Sequence, residues 1–359
     1  MSFPFVSVLL PFHNPGPYFA PAVKSVLKQT FGDFELLLLD DGSTDGSERD
    51  AAEFARADQR ANVIRTEKNL GLSAQLNVGI RRALGRYLAR MDADDLAEPR
   101  RFEKQVEALE RDPQIGICGS IVREFNEHGM GALWVLPEDP DDVHSLLFLR
   151  SCFNHPSVMI RSNVLSDHGL LYDESFVVAQ DYELWRRSLK VTRGFNIQEP
   201  LMKYRRSSSQ LSQAASSRKM QELAAIQRQI RLDLGLPESE AVASMHSVVA
   251  SDSWPNSSEW FAQAVSWLNT VHQGNRQTRV FPVNAFGRML ADKLFLHCSM
   301  ASRRGLNGWR FYRRAEFASA SRQSSLTAIK MIAKTLIKPR GRVNMPCVGS
   351  GSRGDRGLV

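Results

Sequence analysis

Over residues 1–111, the apolar positions of the chain alternate between two patterns. Short continuous apolar runs that end in polar residues are typical of buried parallel strands, whereas apolar residues three or four apart are typical of amphipathic helices. The predicted strand and helix pairs are 6–11 with 18–29, 34–39 with 47–57, 62–66 with 73–84, and 87–91 with 99–111. This alternation predicts an α/β fold with a mainly parallel sheet and helices on both of its faces.

Polar segments follow three of these predicted strands. They are the turn after Pro11, the segment 40–45 (Asp-Asp-Gly-Ser-Thr-Asp) and the segment 92–95 (Asp-Ala-Asp-Asp). Because the carboxyl ends of parallel strands lie on one edge of a sheet, where ligands bind, we expect the three segments to form one site. The closely spaced carboxylates of 92–95 repel one another and resist burial, so they favour either a hard divalent cation that also binds phosphate or an acidic solvated turn.

The pattern is less regular beyond residue 111. The expected elements are a strand at 115–125, a surface loop at 136–142, a strand at 153–160, a helix at 181–189 and a serine-rich hinge at 207–217. Helical patterns follow at 218–234, 259–272, 283–300 and 326–337. We therefore expect a helical C-terminal region over 213–340, and the Gly-, Arg- and Ser-rich segment 341–359 to be a disordered basic tail.

Composition restricts the class of protein. The 359 residues are 43% hydrophobic, enough for one large α/β domain with an appendage or for two domains. No run of eighteen apolar residues and no secretory signal pattern occurs, so we expect a cytoplasmic chain that does not span a membrane. The four cysteines are far apart in the sequence, which argues against a zinc site and against a disulfide scaffold.

The positive charge is concentrated at one end of the chain. Residues 301–359 contain 13 Lys and Arg against two acids, whereas the remaining residues contain 33 basic and 37 acidic side chains. An apolar face flanked by lysines at 326–337 suits the surface of an anionic membrane, although a helix packed on the body with solvated lysines would have the same pattern. Aromatic residues are scarce among these basic residues, so we expect no nucleic-acid partner.

Three motifs together resemble a known family. They are Val-Ser-Val-Leu-Leu-Pro-Phe-His-Asn at 6–14, Leu-Asp-Asp-Gly-Ser-Thr-Asp at 39–45 and Met-Asp-Ala-Asp-Asp at 91–95. In this order they are similar to the nucleotide-sugar domain of family 2 glycosyltransferases, and 69–71, 76–80 and 83–85 fit the same pattern. The resemblance covers about residues 5–215. It implies the GT-A fold, with a nucleotide-sugar-binding and catalytic domain over 1–212.

The resemblance implies a role for five residues on the donor side. Pro11 and His13 would line the base pocket, where His13 replaces the family's usual Tyr. Asp41 would accept a hydrogen bond from the uracil imide, a role that is compatible with an Asx turn in the same segment. In the Asp-x-Asp motif, Asp92 would approach the ribose, and Asp94 would bind the Mn²⁺ or Mg²⁺ ion that bridges the two phosphates.

The resemblance also implies the catalytic residue. Asp181 matches the family's base, which takes the proton of the acceptor hydroxyl, although an N-cap for the following helix is the alternative. The usual acidic partner of the base is Gln180 here, and the aromatic residue of the same motif is Trp185. Asp95 would either orient the metal and donor groups or cap a helix.

Asp95, Gln180 and Trp185 are also candidates for contacts with acceptor or phosphate, and three further residues join them. His155 lies in an Asn-His-Pro segment that has a counterpart near the family's sugar and acceptor side, although a buried structural role is equally compatible. Arg205 and Arg206 begin the family's closing segment, in which position 207, usually His, is Ser. Either arginine can meet phosphate as a charged donor.

We therefore expect an inverting, metal-dependent glycosyltransferase that moves a sugar from a nucleotide-diphosphate sugar to a hydroxyl of a glycan or lipid-linked acceptor. We expect it in the cytoplasm, with peripheral attachment to the inner face of the cell membrane through its basic region, and in the biosynthesis of cell-surface polysaccharide. Two alternatives are a nucleotide-binding subunit without turnover and a sugar-phosphate nucleotidyltransferase. The second would be expected to have a Gly-rich phosphate loop after the first strand, which this sequence lacks.

Overall fold

A computed structural model of the protein describes residues 3–206 and 216–322. The predicted hinge falls outside these residues except for 216 and 217, which begin a helix. The predicted helix at 326–337 and the predicted tail at 341–359 also lie outside the described residues. These three expectations stay predictions.

Nine strands form one sheet. They are β1 (Val6–Phe12), β2 (Phe34–Asp41), β3 (Ala61–Thr66), β4 (Tyr87–Arg90), β5 (Leu96–Ala97), β6 (Ile115–Asn126), β7 (Gly129–Trp134), β8 (Met159–Arg161) and β9 (Arg193–Arg205). The sheet order is β3-β2-β1-β4-β8-β6-β9-β5, with β7 paired to β6. The first four strands are parallel to one another, as the alternation predicted, and β8 is antiparallel to β4. The result is a mixed sheet whose parallel half contains all three polar segments.

Helices cover the sheet and form the C-terminal region. The first seven are α1 (Phe19–Leu27), α2 (Ser47–Ala57), α3 (Leu72–Arg82), α4 (Arg101–Arg111), α5 (Pro140–Leu146), α6 (Ser162–Ser166) and α7 (Gln180–Ser188). The C-terminal region contains α8 (Ser216–Asp233), α9 (Glu240–Ala250), α10 (Ser258–Thr278), α11 (Val283–Arg303) and α12 (Gly308–Tyr312). Within the described residues, none of these helices has both the length and the hydrophobicity needed to cross a bilayer.

Alternate residues of the central strands belong to two different hydrophobic cores. On β2, Leu36 and Leu38 pack into one core together with α1 and α4, whereas Leu37 and Leu39 pack into the other. The second core continues through α7 into the C-terminal helices, for example at Phe148, which packs against Phe286 with ring centroids 5.3 Å apart. A strand exposes successive side chains to opposite faces, so both faces of the sheet are covered, as predicted.

Two sequence-based expectations are wrong in part. The predicted strand at 153–160 is a 3₁₀ turn at His155–Ser157 followed by the three-residue β8, because Pro156 has no N–H to donate to a neighbouring strand. The predicted loop at 136–142 gives way to α5 at Pro140. Asp139 caps that helix by accepting hydrogen bonds from the N–H groups of Asp141 and Asp142, so an Asp-Pro helix start was present in the sequence.

Candidate active site

Three carboxylates cluster where β4 ends. The chain leaves the sheet after Arg90 and turns tightly, and Asp92, Asp94 and Asp95 each bring one carboxylate oxygen within 4.8 Å of the others. β4 lies between β1 and β8, so the cluster sits at the centre of the sheet edge. The strand end therefore gathers the three acids, as the sequence predicted.

The three acids have different surroundings. Asp92 forms a two-pronged ion pair with Arg90, in which Nη1 donates to Oδ2 at 2.5 Å. Asp95 is completely buried, and its Oδ1 accepts a hydrogen bond of 2.8 Å from the backbone N–H of Arg205. The Nε of Arg205 donates to the backbone carbonyl of Asp94 at 2.8 Å, so β9 holds the turn from the opposite side. Asp94 lies between these two fixed neighbours.

The cluster concentrates negative charge in a poorly solvated place. Burial, and next to it the charge of Asp92, raise the pKa of Asp94 to about 6. Burial and the neighbouring carboxylates raise the pKa of Asp95 well above its ordinary value. The Oδ2 atom of Asp95 is also buried and accepts no hydrogen bond from the described residues. Oxygen ligands, excess charge and an unpartnered buried oxygen all fit a hard divalent cation.

Arg90 is a site residue that sequence reasoning missed. Its side chain is 4% exposed, and its Nε has no hydrogen-bond partner within the described chain. Burial alone would lower the pKa of Arg90, but the ion pair with Asp92 raises it. The positive charge of the same guanidinium counteracts the rise in the pKa of Asp94 and in the pKa of Asp181. A charged residue at the end of an otherwise apolar strand was the available signal.

The donor side of the predicted site lies on β1 and β2, which are adjacent parallel strands. Pro11 pairs with Leu39, and the Nδ1 of His13 lies 2.8 Å from the carbonyl oxygen of Asp41. The Asx turn predicted for this segment is present at the preceding residue, where Asp40 Oδ1 accepts a hydrogen bond from the N–H of Ser43 at 2.8 Å. Pro11, His13 and Asp41 are thus brought together.

Asp41 already has a structural role. Its two oxygens accept hydrogen bonds from the backbone N–H groups of Leu70 at 2.7 Å and Gly71 at 2.9 Å. These contacts fasten the loop between β3 and α3 to the end of β2. The Thr66 hydroxyl also donates to Oδ1 at 3.3 Å, whereas Oδ2 keeps a second lone pair, so the uracil contact stays compatible with this arrangement as a prediction.

Asp181 lies in the first turn of α7. The Ser151 hydroxyl donates to its Oδ2 at 3.1 Å, and burial raises the pKa of Asp181 above its ordinary value. Gln180 is 5% exposed, and its Oε1 has no hydrogen-bond partner among the described residues. Trp185 has no exposed surface and packs edge-on against Phe153, so it packs α7 on the core and has no surface free for the predicted contact with acceptor or phosphate.

His155 and the two arginines have defined partners. The Nε2 of His155 lies 2.8 Å from the hydroxyl of Tyr172, and burial lowers the pKa of His155 well below its ordinary value. Arg205 stacks between the rings of Tyr18 and Phe125, at 4.1 and 4.4 Å from their centroids. Arg206 is 3.5 Å from Glu124 and lies farther along the chain, at the end of β9. His155 is therefore half-buried and neutral at pH 7, and its contact with an acceptor or phosphate stays a prediction.

Known proteins resemble this chain in sequence and in fold. The model of the family "Glycosyl transferase family 2" matches residues 7–151. An uncharacterised glycosyltransferase of Haemophilus influenzae is 32% identical over 219 residues, which are 58% of this chain and 68% of that protein. The amylovoran biosynthesis glycosyltransferase AmsE of Erwinia amylovora is 33% identical over 196 residues, which are 53% of this chain and 71% of that protein.

A solved structure extends the likeness of fold beyond the matched domain. The S. aureus TarS fragment 1–349 in complex with UDP-GlcNAc is 18% identical, with a TM-score of 0.53 over 83% of this chain and 87% of that one. At this identity the likeness concerns the fold alone, and it confirms the predicted GT-A fold with a helical C-terminal region. The sequence relatives, each about one-third identical over more than two-thirds of its own length, establish that this chain is a glycosyltransferase and belongs to glycosyl transferase family 2.

Proposed function

We propose that this glycosyltransferase moves one sugar from a nucleotide-diphosphate sugar, most simply a UDP-sugar, to a hydroxyl of a glycan or lipid-linked acceptor, with inversion at the anomeric carbon. The observation that carries the proposal is the cluster of Asp92, Asp94 and Asp95 at the end of β4, beside the buried Arg90 that pairs with Asp92. Such a site can bind a charged diphosphate on one side and remove a proton on the other.

Asp94 would be the principal protein ligand of a Mn²⁺ or Mg²⁺ ion, with Asp95 beside it. A bound divalent cation offsets the charge that develops on the departing diphosphate. Asp92 shares its charge with Arg90, so its proposed contact is with the ribose of the donor rather than with the ion. Arg205, fixed between two aromatic rings, offers a positive group at the same edge.

Asp181 would act as the general base. In an inverting transfer the acceptor oxygen bonds to the anomeric carbon on the face opposite the diphosphate, and the acceptor proton passes to a carboxylate oxygen. Burial raises the pKa of Asp181, which makes it a better proton acceptor than an exposed aspartate, and Ser151 fixes its orientation by a hydrogen bond to Oδ2. Gln180 cannot supply a second negative charge, so the proposal assigns proton removal to Asp181 alone.

Pro11, His13 and Asp41 would hold the nucleotide base. TarS was solved with UDP-GlcNAc, which supports a UDP-sugar donor, and AmsE takes part in amylovoran biosynthesis, which supports a role in cell-surface polysaccharide. The proposal also places the enzyme in the cytoplasm at the inner face of the cell membrane, where its basic C-terminal residues would attract anionic lipid.

A donor screen tests this function. Hydrolysis of several UDP- and GDP-sugars would be measured with and without Mn²⁺ for the wild type, Asp94→Asn and Asp181→Asn. We expect one donor to be turned over only with the divalent ion, and both variants to lose at least about a hundredfold in rate. Tight nucleotide binding without turnover of any donor would favour the non-catalytic binding subunit instead, and full activity of Asp94→Asn would refute the metal role.

A further inference from the structure

A carboxylate of the C-terminal region binds the backbone in front of the helix that carries Asp181. Glu222, on α8, accepts three hydrogen bonds from consecutive N–H groups: Val177 at 2.9 Å, Val178 at 2.9 Å and Ala179 at 2.8 Å. The donors and the acceptor are 43 to 45 residues apart in the sequence. This is a tertiary contact between α8 and the turn before α7, in which one carboxylate accepts hydrogen bonds from three consecutive backbone N–H groups.

The contact supplies an acceptor that the local sequence cannot provide. α7 begins at Gln180, and the residue before it, Ala179, has no side-chain hydrogen bond to cap the helix. The first N–H groups of a helix and of the turn before it need acceptors, and a negative charge is favoured there. Glu222 supplies acceptors for three N–H groups of the turn before the helix, the last of them Ala179, which lies one residue before α7 and two residues before Asp181.

Glu222 is itself held in place. Its side chain is 6% exposed, and Arg218 donates to its Oε1 at 2.8 Å while also donating to the carbonyl oxygen of Ser175 at 2.6 Å. Burial would raise the pKa of Glu222, but the hydrogen bonds from Val177 and Arg218 lower it overall. The ionised carboxylate of Glu222 is held by Arg218, and together the two side chains fix the backbone of segment 175–179.

We infer that Glu222, oriented by Arg218, is a positioning residue for Asp181, so that the C-terminal helical region completes the transferase site. This inference rests on the proposed role of Asp181 as the base. Glu222 does not touch the reacting atoms. It acts by fixing the start of α7, and a displacement of about 1 Å of a catalytic group can cost about a hundredfold in rate.

The same pair of helices offers a matched control. Asp233, at the other end of α8, lies 2.7 Å from Lys190 and 3.5 Å from Arg186, near the C-terminal end of α7. Loss of its charge would loosen the packing of α8 on α7 without touching the turn before Asp181. Asp233→Asn and Glu222→Gln therefore differ in which end of α7 they release.

The experiment uses the full chain and the donor identified by the screen. For the wild type, Glu222→Gln, Asp233→Asn and Asp181→Asn, the transfer kcat, the KM of the donor, the Kd of UDP with Mn²⁺ and Tm would be measured, together with the pH dependence of kcat. We expect Glu222→Gln to lower kcat by at least about tenfold and to move its acidic limb, with donor KM and UDP Kd within about twofold of wild type. Asp233→Asn is expected to lower Tm with kcat within about twofold of wild type.

Several outcomes would overturn the inference. One is a kcat of Glu222→Gln equal to that of Asp233→Asn, and another is a pH profile of Glu222→Gln that is unchanged from the wild type. A third is a loss of kcat in Glu222→Gln that is matched by an equal loss of UDP affinity, because that result would indicate general damage to the domain. If Glu222→Gln does not fold, Arg218→Gln carries the same test, with a smaller expected loss of kcat. Failure of the proposed function would look different, because Asp181→Asn would then retain transfer activity.

Discussion

The strongest test of the acid cluster is its effect on stability, which can be measured without any substrate. Asp94 has a folded-state pKa of about 6 against an ordinary value of 3.8, so the folded protein binds this proton more tightly than the unfolded chain. A stability contribution of this sign is present below pH 3.8 and is lost as the pH rises to about 6. At neutral pH, without a cation, the ionised Asp94 therefore destabilises the fold.

The magnitude follows from the shift. A difference of about two pKa units corresponds to at most about 3 kcal/mol, and partial exposure of Asp94 reduces the expected value to about 1–3 kcal/mol. Asp94→Asn removes the charge while keeping the shape, so it should raise the free energy of unfolding by that amount at pH 7.5 in EDTA. The gain should fall to about 0.5 kcal/mol near pH 4, where Asp94 is almost fully protonated in the folded state and about 40% protonated in the unfolded chain.

A bound cation should make the wild type at least as stable as Asp94→Asn. Mn²⁺ at about one hundred times its Kd would stabilise the wild type by about 2.7 kcal/mol, and it should do little for Asp94→Asn. Denaturant unfolding of both proteins at pH 4 and at pH 7.5, each in EDTA and in Mn²⁺, measures the free energies of unfolding under the four conditions. Asp50→Asn, at an exposed site on α2, is the control and should change none of them by more than about 0.5 kcal/mol. A wild type that is as stable as Asp94→Asn in EDTA, or an equal gain of both from Mn²⁺, would refute the reasoning.

Three further predictions concern other parts of the chain. Arg90→Met leaves Asp92 and its neighbours without their buried counter-charge, so we expect a loss of about 3–5 kcal/mol in the free energy of unfolding and partial recovery on adding Mn²⁺; no recovery would contradict the electrostatic explanation. Because the pKa of His155 is far below its ordinary value, His155→Gln should leave any inflection of the kcat profile between pH 5.5 and 7.5 unchanged, and loss of an inflection near pH 6.5 would show that His155 titrates there. Flotation with anionic vesicles should recover the full chain at low salt but not at high salt, and a variant ending at residue 322 should sink in both; equal flotation of the two would exclude the basic region as the anchor.

The sequence predicted the parallel half of the sheet well because three of its strands, β1, β2 and β4, are buried on both faces. Such strands are continuous apolar runs, so their bounds can be read within a few residues, as for β1 and β2. The candidate acids were found for the same reason: they interrupt these runs at strand ends. The antiparallel part was predicted less well. β8 has three residues and directly follows a Pro-containing 3₁₀ turn, so its pattern was too short to separate from the turn.

The contacts that complete the site could not be predicted, because they join distant segments. Arg90 was visible in the sequence, but its charge acts on Asp181, 91 positions later in the chain, only after folding brings β4 and α7 together. The same holds for Asp41, whose two oxygens hold the backbone of residues 29 and 30 positions away. The local sequence pattern identifies candidate site side chains, whereas tertiary packing decides which of these side chains already have hydrogen-bond or ion-pair partners in the fold.

This distinction changes how the acid cluster is understood. From sequence, Asp92, Asp94 and Asp95 differ only in position, but in the fold Asp92 is neutralised by Arg90 and Asp95 is held by the backbone of β9. Asp94 has its carboxylate between them, and burial with the charge of Asp92 keeps its pKa high. The proposed cation would therefore relieve repulsion at Asp94 and would also give a partner to the buried Oδ2 of Asp95. Repulsion among the carboxylates would then destabilise the cation-free fold, and removal of that repulsion would contribute to the affinity for the cation.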